Sequence, residues 1–475
     1  MKLTFLAPAL RAMPRGPALT RAVPEPAPNQ APNPAPNPAP NPAPNVAADA
    51  DDGVMKGFPP PPDKQVVRGG GLRPPFMRWA LSHTRELAPT VGIRHASRPM
   101  PLVDAPGLPL DELPLMVAGR SLGLDDYLRA THTDGFVVLH RGTVVYERYF
   151  GDFHRHQPHI WASMTKSVTG LLAAMLIHEG KLDPHAPLSQ YVPELKSNPF
   201  GDATVRRNLD MEVPVGYPQA LPPDLGLFGA VGIVPRKDDA PDNIYDFLKI
   251  AHATGAAAEA PVWYYQNGSA EAMAWALRRI TGQRWSQLVT DRIWSRLADD
   301  DAYASVDRLG TEMASGGLNS TLRDAARFAE AVRRAMQGDL SGPIPPAAAR
   351  IAFEPASNQS RFASGNLVSG RDGYGYRNYW FQCNDGDGSV EASGRFGQRI
   401  YINPDKDLVA VKFSASPDDA ARPTSAADIR RCEDAARALE TSAALIAAAL
   451  AIHRSLEHDG GLAQAAGIGQ GSPAT

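Results

Sequence analysis

Cysteine is nearly missing from this chain. Cys383 and Cys432 are the two in 475 residues, too few for a disulfide scaffold or a thiolate metal cage, so a single bridge between them is the most that thiol chemistry could add. An excess of one charge is missing as well. With 48 Lys and Arg against 51 Asp and Glu the formal charge is −3, which offers no electrostatic footprint for nucleic acid or an anionic membrane. Long apolar runs are also lacking. The longest, Ala443 to Ile452, falls far short of the roughly 20 residues that a bilayer-spanning helix requires. Neither a transmembrane segment nor a polyanion partner is expected.

Proline is abundant and unevenly spread, with 19 of the 45 copies in the first 75 positions. The repeat that starts at Ala31-Pro32-Asn33-Pro34 has fixed φ angles and few N–H donors, which disfavour helix and sheet and favour an extended spacer. Residues 1–75 therefore read as a disordered Pro-rich segment and linker, Phe58–Pro62 and Gly69–Gly71 included, with an ordered domain beginning between about 75 and 120. Lys2, Arg11, Arg15 and Arg21 lie near the start without any acid, but the apolar run after Lys2 is broken by Pro8. That makes a poor signal peptide, and export and cytoplasmic residence both stay open.

From Gly135 the pattern is compact α/β. Phe136–Leu139, a turn at His140-Arg141-Gly142, and Val144–Tyr149 predict a β-hairpin. Ser163 to Glu179 carries apolar residues at helical spacing and stops at Gly180, which predicts a deeply buried helix. Further helices are expected at Ala270–Thr281, Leu322–Met336 and Ala426–Leu456, and strands at Gln398–Ile402 and Leu408–Phe413. Strands at both ends with helices between imply one antiparallel sheet closed by the two ends of the domain, plus a mostly helical second lobe. The tail, 458–475, reads as disordered.

Ser163 and Lys166 stand three apart at the start of the buried helix, on one face, where they can touch. A hydroxyl is a weak nucleophile at neutral pH, and an amine drawn into an apolar site loses proton affinity and can serve as its base. The free N–H groups of the helix start can stabilise the oxyanion of an attacked carbonyl. By chance alone 26 serines and 10 lysines give about 0.5 S-x-x-K matches, so context has to decide. Tyr265-Gln266-Asn267 precedes an amphipathic helix; the same Y-x-N pattern at Tyr376–Asn378 and Tyr401–Asn403 does not. Tyr265 and Asn267 are therefore the chosen partners of the pair.

With these motifs the chain resembles the serine β-lactamase-like hydrolases: class C β-lactamases, D-alanyl-D-alanine carboxypeptidases, related carboxylesterases and 6-aminohexanoate-dimer hydrolases. The resemblance covers about Leu115 to Ser416 and includes Gly180–Asp183, Ala203–Arg206, Ala314–Thr321 and Gly397–Pro404. It implies a β-lactamase/transpeptidase-like α/β domain over residues 115–457. It also implies Ser163 as acylated nucleophile, Lys166 as its activator, Tyr265 as proton shuttle and Asn267 as a positioning or substrate-binding group. The family's Lys-Thr-Gly motif is replaced by Ala392-Ser393-Gly394. The missing lysine disfavours strong β-lactamase activity, and the form is similar to the nylon-oligomer hydrolase branch. On that alignment Ser393 and Gly394 line the substrate site, and the N–H groups of Ser163 and Arg395 form the oxyanion hole.

Two rival constellations compete with this one. Gly119-Arg120-Ser121-Leu122-Gly123 matches the G-x-S-x-G elbow, but the chain continues into a hairpin rather than alternating parallel strands and helices. His154, His156 and His159 could ligate a metal, yet carboxylates are sparse around them, and no metal or other cofactor is called for. The aromatic group Tyr374, Tyr376, Tyr379, Trp380 and Phe381 is read with equal weight as core and as pocket lining. The expected activity is hydrolysis of a small-molecule ester or amide. The alternatives are a D-alanyl-D-alanine carboxypeptidase or weak β-lactamase, and a catalytically silent binding relative.

Overall fold

The structure is a computed structural model that describes residues 53–105, 108–117, 119–219, 221, 223–254, 262–366, 371–417 and 439–458. By its contacts the chain divides into Met1–Ala43, which lies outside the described residues, and Pro44–Thr475, to which all the described residues belong. The Pro-rich repeat, Cys432, the first part of the expected carboxyl-terminal helix and the tail beyond His458 are likewise outside the described residues.

The framework is an eight-stranded sheet made of β1 (Val103–Asp104), β2 (Thr133–His140), β3 (Thr143–Tyr149), β4 (Gly375–Arg377), β5 (Trp380–Gln382), β6 (Val390–Gly394), β7 (Gln398–Asn403) and β8 (Leu408–Ser414). Their order is β4-β5-β6-β7-β8-β2-β3-β1, antiparallel throughout except that β1 runs parallel to β3. The predicted hairpin is β2–β3, turning at Arg141-Gly142. The closure of the domain's two ends is the β8–β2 pairing, Val411 opposite Val137. All of β2 and β8 is buried, which is why these strands read as continuous apolar runs rather than alternating ones.

Five helices matter for the site: α1 (Thr165–His178), α2 (Gly268–Thr281), α3 (Leu322–Met336), α4 (Pro346–Phe353) and α5 (Ser442–His458). The helix α1 is buried from Thr165 to Leu176. Each fully buried aliphatic side chain on it stabilises the fold by about 2 kcal/mol. Its buried polar side chains are engaged: Ser167 Oγ donates to Tyr379 O (2.8 Å) and Thr169 Oγ1 to Ala314 O (2.9 Å). Gly170 lets the Asn378–Tyr379 turn press onto the helix, since a Cβ there would stand 2.0 Å from the carbonyl oxygen of Asn378. Around α2 pack the short helices Pro199–Asp202, Val205–Leu209 and Ile244–Lys249 of the helical lobe.

The ordered fold reaches further toward the amino terminus than expected. Val54, Val66 and Ala80 bury one another, Met77 and Leu81 pack with Ile160, Phe396 and Ala415, and Thr90–Ile93 pairs with Ala302–Ser305. The stretch read as linker is thus built into the domain from residue 53. Isolated valines flanking prolines give no periodicity, so their burial against a later helix is not visible in composition. The rival Ser121 lies exposed within the strand Arg120–Gly123 of a small hairpin with Pro114–Val117, not at a strand-to-helix elbow.

Candidate active site

Ser163 lies on the 3-10 turn Ala162–Met164 that leads into α1. Ala162 holds a left-handed φ of 46°, a conformation that costs an L-residue about 1–2 kcal/mol. Hydrogen bonds over-determine it. Trp161 N donates to Leu318 O (2.8 Å), Trp161 Nε1 to Ser320 Oγ (2.8 Å), and Thr165 Oγ1 to Ala162 O (2.7 Å). The segment Ala314–Thr321 is therefore the brace of the serine's turn. Ser163 itself stays partly exposed.

Lys166, 1 % exposed, reaches back along the same face. Its Nζ donates to Ser163 Oγ (2.8 Å), Asn267 Oδ1 (2.8 Å) and Ser315 O (2.7 Å). Ser315 is held by the buried Glu271 on α2, whose Oε1 accepts from Ser315 N (2.9 Å) and whose Oε2 accepts from Ala314 N (3.2 Å). Burial pushes the Glu271 carboxyl up from its usual range, against the pull of the Ser315 hydrogen bonds and the charges of Arg278 and Lys166.

The ring of Tyr265 lies with its centroid 5.1 Å from Lys166 Nζ. Behind it stand Phe381, near-parallel at 6.4 Å, and Tyr376, edge-on at 6.3 Å. Burial lifts the Tyr376 hydroxyl well above the ordinary phenol range, so it stays protonated, whereas Tyr265 is partly exposed. The aromatic group is thus core, and part of that core walls Tyr265. The other two Y-x-N patterns do not reach the lysine: Asn378 Nδ2 donates to Gly170 O (2.9 Å) and Asn403 Nδ2 to Tyr401 Oη (3.1 Å).

The strand β6 closes the other side. Gly394 passes so near the serine's turn that a Cβ would stand 2.4 Å from Trp161 O, and the following turn, Arg395–Gly397, packs against Ala162–Met164. In that turn the Arg395 guanidinium lies 5.3 Å over the ring of Phe396. Ser393 Oγ accepts from Arg371 Nη2 at 2.9 Å.

Of the residues singled out in the sequence, the structure brings Ser163, Lys166, Tyr265 and Asn267 together, and the Gly394 strand end passes the serine's turn. It missed Ser315, Glu271, Asn366 and Arg371. Glu271 lies four residues after Asn267 on α2, a spacing that could have revealed it. Asn366 and Arg371 carry no local signal, since their partners stand 101 and 22 positions away. The histidines do not converge: His159 is buried on Asp134 Oδ2 (3.1 Å), His156 contacts Asp300 (3.0 Å) and His154 is exposed.

Comparisons with known proteins bear on this arrangement. A family model described as Beta-lactamase matches residues 125–434. The 6-aminohexanoate-dimer hydrolase of Paenarthrobacter ureafaciens is 31% identical over 357 residues, covering 72% of this chain and 86% of the relative. Among solved structures, a Bacillus anthracis protein assigned as a 6-aminohexanoate-dimer hydrolase superposes with a TM-score of 0.70 at 29% identity, covering 84% of this chain and 99% of that one.

Proposed function

The chain belongs to the Beta-lactamase family, and from that premise we propose that it hydrolyses an ester or linear amide through an acyl-enzyme on Ser163. The observation that carries the reading is the shared hydrogen bonding of one buried amine, Lys166 Nζ, with Ser163 Oγ, Asn267 Oδ1 and Ser315 O. In the reacting form Lys166 is a neutral amine whose two N–H groups are given to Asn267 Oδ1 and Ser315 O, so its lone pair takes the hydroxyl proton as Ser163 Oγ attacks the carbonyl carbon, and the carbonyl π electrons move to oxygen. That oxygen is held by the N–H groups of Ser163 and Arg395, an arrangement that contributes on the order of 100-fold or more per donor in related sites. The proton returns through Tyr265 to the leaving nitrogen or oxygen as the tetrahedral carbon collapses. Water, deprotonated by the same groups, then attacks the acyl ester and releases the acid.

Asn267 positions Lys166, and Ser393 and Gly394 flank the substrate. The hydrolase unit is residues 115–457. The name of the relative makes the 6-aminohexanoate dimer the first amide to try. Fluorophosphonate labelling of the wild type but not of Ser163→Ala, with turnover of p-nitrophenyl esters or linear amide oligomers exceeding that of nitrocefin, supports the proposal. Equal labelling of Ser163→Ala contradicts it.

A further inference from the structure

The two N–H groups proposed for the oxyanion belong to two peptide units, the one joining Ala162 to Ser163 and the one joining Gly394 to Arg395. In a planar trans peptide the C=O and the N–H point in opposite directions, so whatever holds the oxygen also sets the direction of the hydrogen. Each of the two carbonyl oxygens is held by a side chain. Ala162 O accepts from Thr165 Oγ1 at 2.7 Å, and Gly394 O accepts from Arg399 Nη1 at 2.8 Å. Thr165 supplies a neutral hydroxyl; Arg399 supplies a permanent cation.

Arg399 stands on β7 opposite Ser393, and its side chain is 12 % exposed. The same Nη1 also donates to Gln398 O at 2.8 Å, so one nitrogen joins Gly394 and Gln398, the residues that face each other at the two ends of the Arg395–Gly397 turn. That turn is bent sharply, with φ of 66° at Phe396 and 86° at Gly397. Its tip is held separately: Phe396 O accepts from Gln398 Nε2 at 3.2 Å and from Ser416 N at 3.1 Å. Arg399 acts instead on the peptide that carries the Arg395 N–H. A charge-assisted bond to the carbonyl oxygen polarises the whole peptide, which makes its N–H a stronger donor.

We infer that Arg399 is a positioning residue of the reaction: by holding Gly394 O it aims the Arg395 N–H at the substrate carbonyl oxygen and strengthens that donor as charge develops there. This inference rests on the Ser163 hydrolase reading and deepens it. The carbonyl oxygen of a bound substrate carries a partial charge and the tetrahedral oxyanion a full one, so the benefit falls on kcat more than on KM. Glu391 Oε1 lies 3.6 Å from Arg399 Nε and 3.0 Å from Arg371 Nη2. Two guanidinium groups thus share one carboxylate, and removing Arg399 leaves Glu391 with Arg371 as its partner.

The test uses an ester and its thionoester, which differ by sulfur in place of the carbonyl oxygen. Sulfur is larger and a weaker acceptor, so a site with N–H groups aimed at that atom turns over the oxygen ester faster. Arg399→Met should lower kcat for the oxygen ester on the order of tenfold with little change in KM, and should lower the oxygen-to-sulfur ratio by a similar factor. Arg399→Lys, which keeps the charge without the planar fork, should fall between. Both esters are read on one preparation, so the ratio does not depend on the fraction of enzyme that is folded. A ratio in Arg399→Met equal to that of the wild type overturns the inference, whether both rates fall together or neither falls. Failure of the hydrolase reading looks different: Ser163→Ala would then keep its turnover of both esters.

Discussion

The side-chain amide of Asn366 pairs with both backbone groups of Tyr265: Tyr265 N donates to Asn366 Oδ1 at 2.7 Å, and Asn366 Nδ2 donates to Tyr265 O at 2.9 Å. One side chain thus imitates a neighbouring strand and fixes the backbone from which the Tyr265 ring reaches toward Lys166. Each bond contributes about 1 kcal/mol in an exposed setting. Asn366→Ala should therefore lower kcat by about tenfold with little change in KM, and Asn366→Asp, which keeps the acceptor and loses the donor, should fall between. Steady-state kinetics of both variants decide it; an unchanged kcat in Asn366→Ala removes Asn366 from the account.

Lys166→Arg places a permanent charge where the mechanism uses a neutral amine, and it cannot accept a proton at any ordinary pH. Both Lys166→Arg and Lys166→Met should lose two to four orders of magnitude in kcat/KM, roughly the worth of a general base. Retention of activity by Lys166→Arg would show that charge, rather than proton transfer, is what the site needs.

Phe396 stands at a left-handed φ of 66° in the turn after β6, and its ring is packed by Met77 and Leu81 from the amino-terminal segment. Met77→Ala should cost about 2–4 kcal/mol of stability, seen as a lower urea midpoint, and should also lower kcat by loosening the turn that carries the proposed Arg395 N–H donor. A Met77→Ala enzyme with full kcat would separate the amino-terminal packing from the site.

His140 at the end of β2 is buried edge-on against His453 of α5, with ring centroids 5.1 Å apart. Burial, then the neighbouring His453, pushes its pKa down to about 4 from the usual 6.5. The folded chain therefore binds this proton less readily than the unfolded one. The contribution of His140 to stability is complete above pH 6.5 and is lost as the pH falls through 4. His140→Leu should flatten the stability profile within that window, measured as the difference in urea midpoints between variant and wild type. Parallel profiles for the two proteins would refute the assignment.

Much of this architecture was legible from the sequence, for physical reasons that can be named. The β2–β3 hairpin, α1 and the closing strands β7 and β8 announce themselves because burial on both faces makes long apolar runs. Ser163 and Lys166 were legible because three residues span one helical turn. What escaped were contacts made across the fold. Asn366, Arg371 and Glu271 act through partners that only the folded chain brings near, and Val54 and Val66 bury themselves in a stretch whose prolines read as linker. The replacement of Lys by Ala392 was visible, but the guanidinium that lies beside the same strand end comes from a different segment.

The most direct test is mass spectrometry of the enzyme quenched during turnover of a slow ester, or inactivated by a fluorophosphonate, followed by peptide mapping. The account predicts one acyl or phosphonyl adduct, on the peptide containing Ser163, and none in Ser163→Ala. An adduct on another side chain, Ser121 included, with Ser163 unmodified, would contradict it.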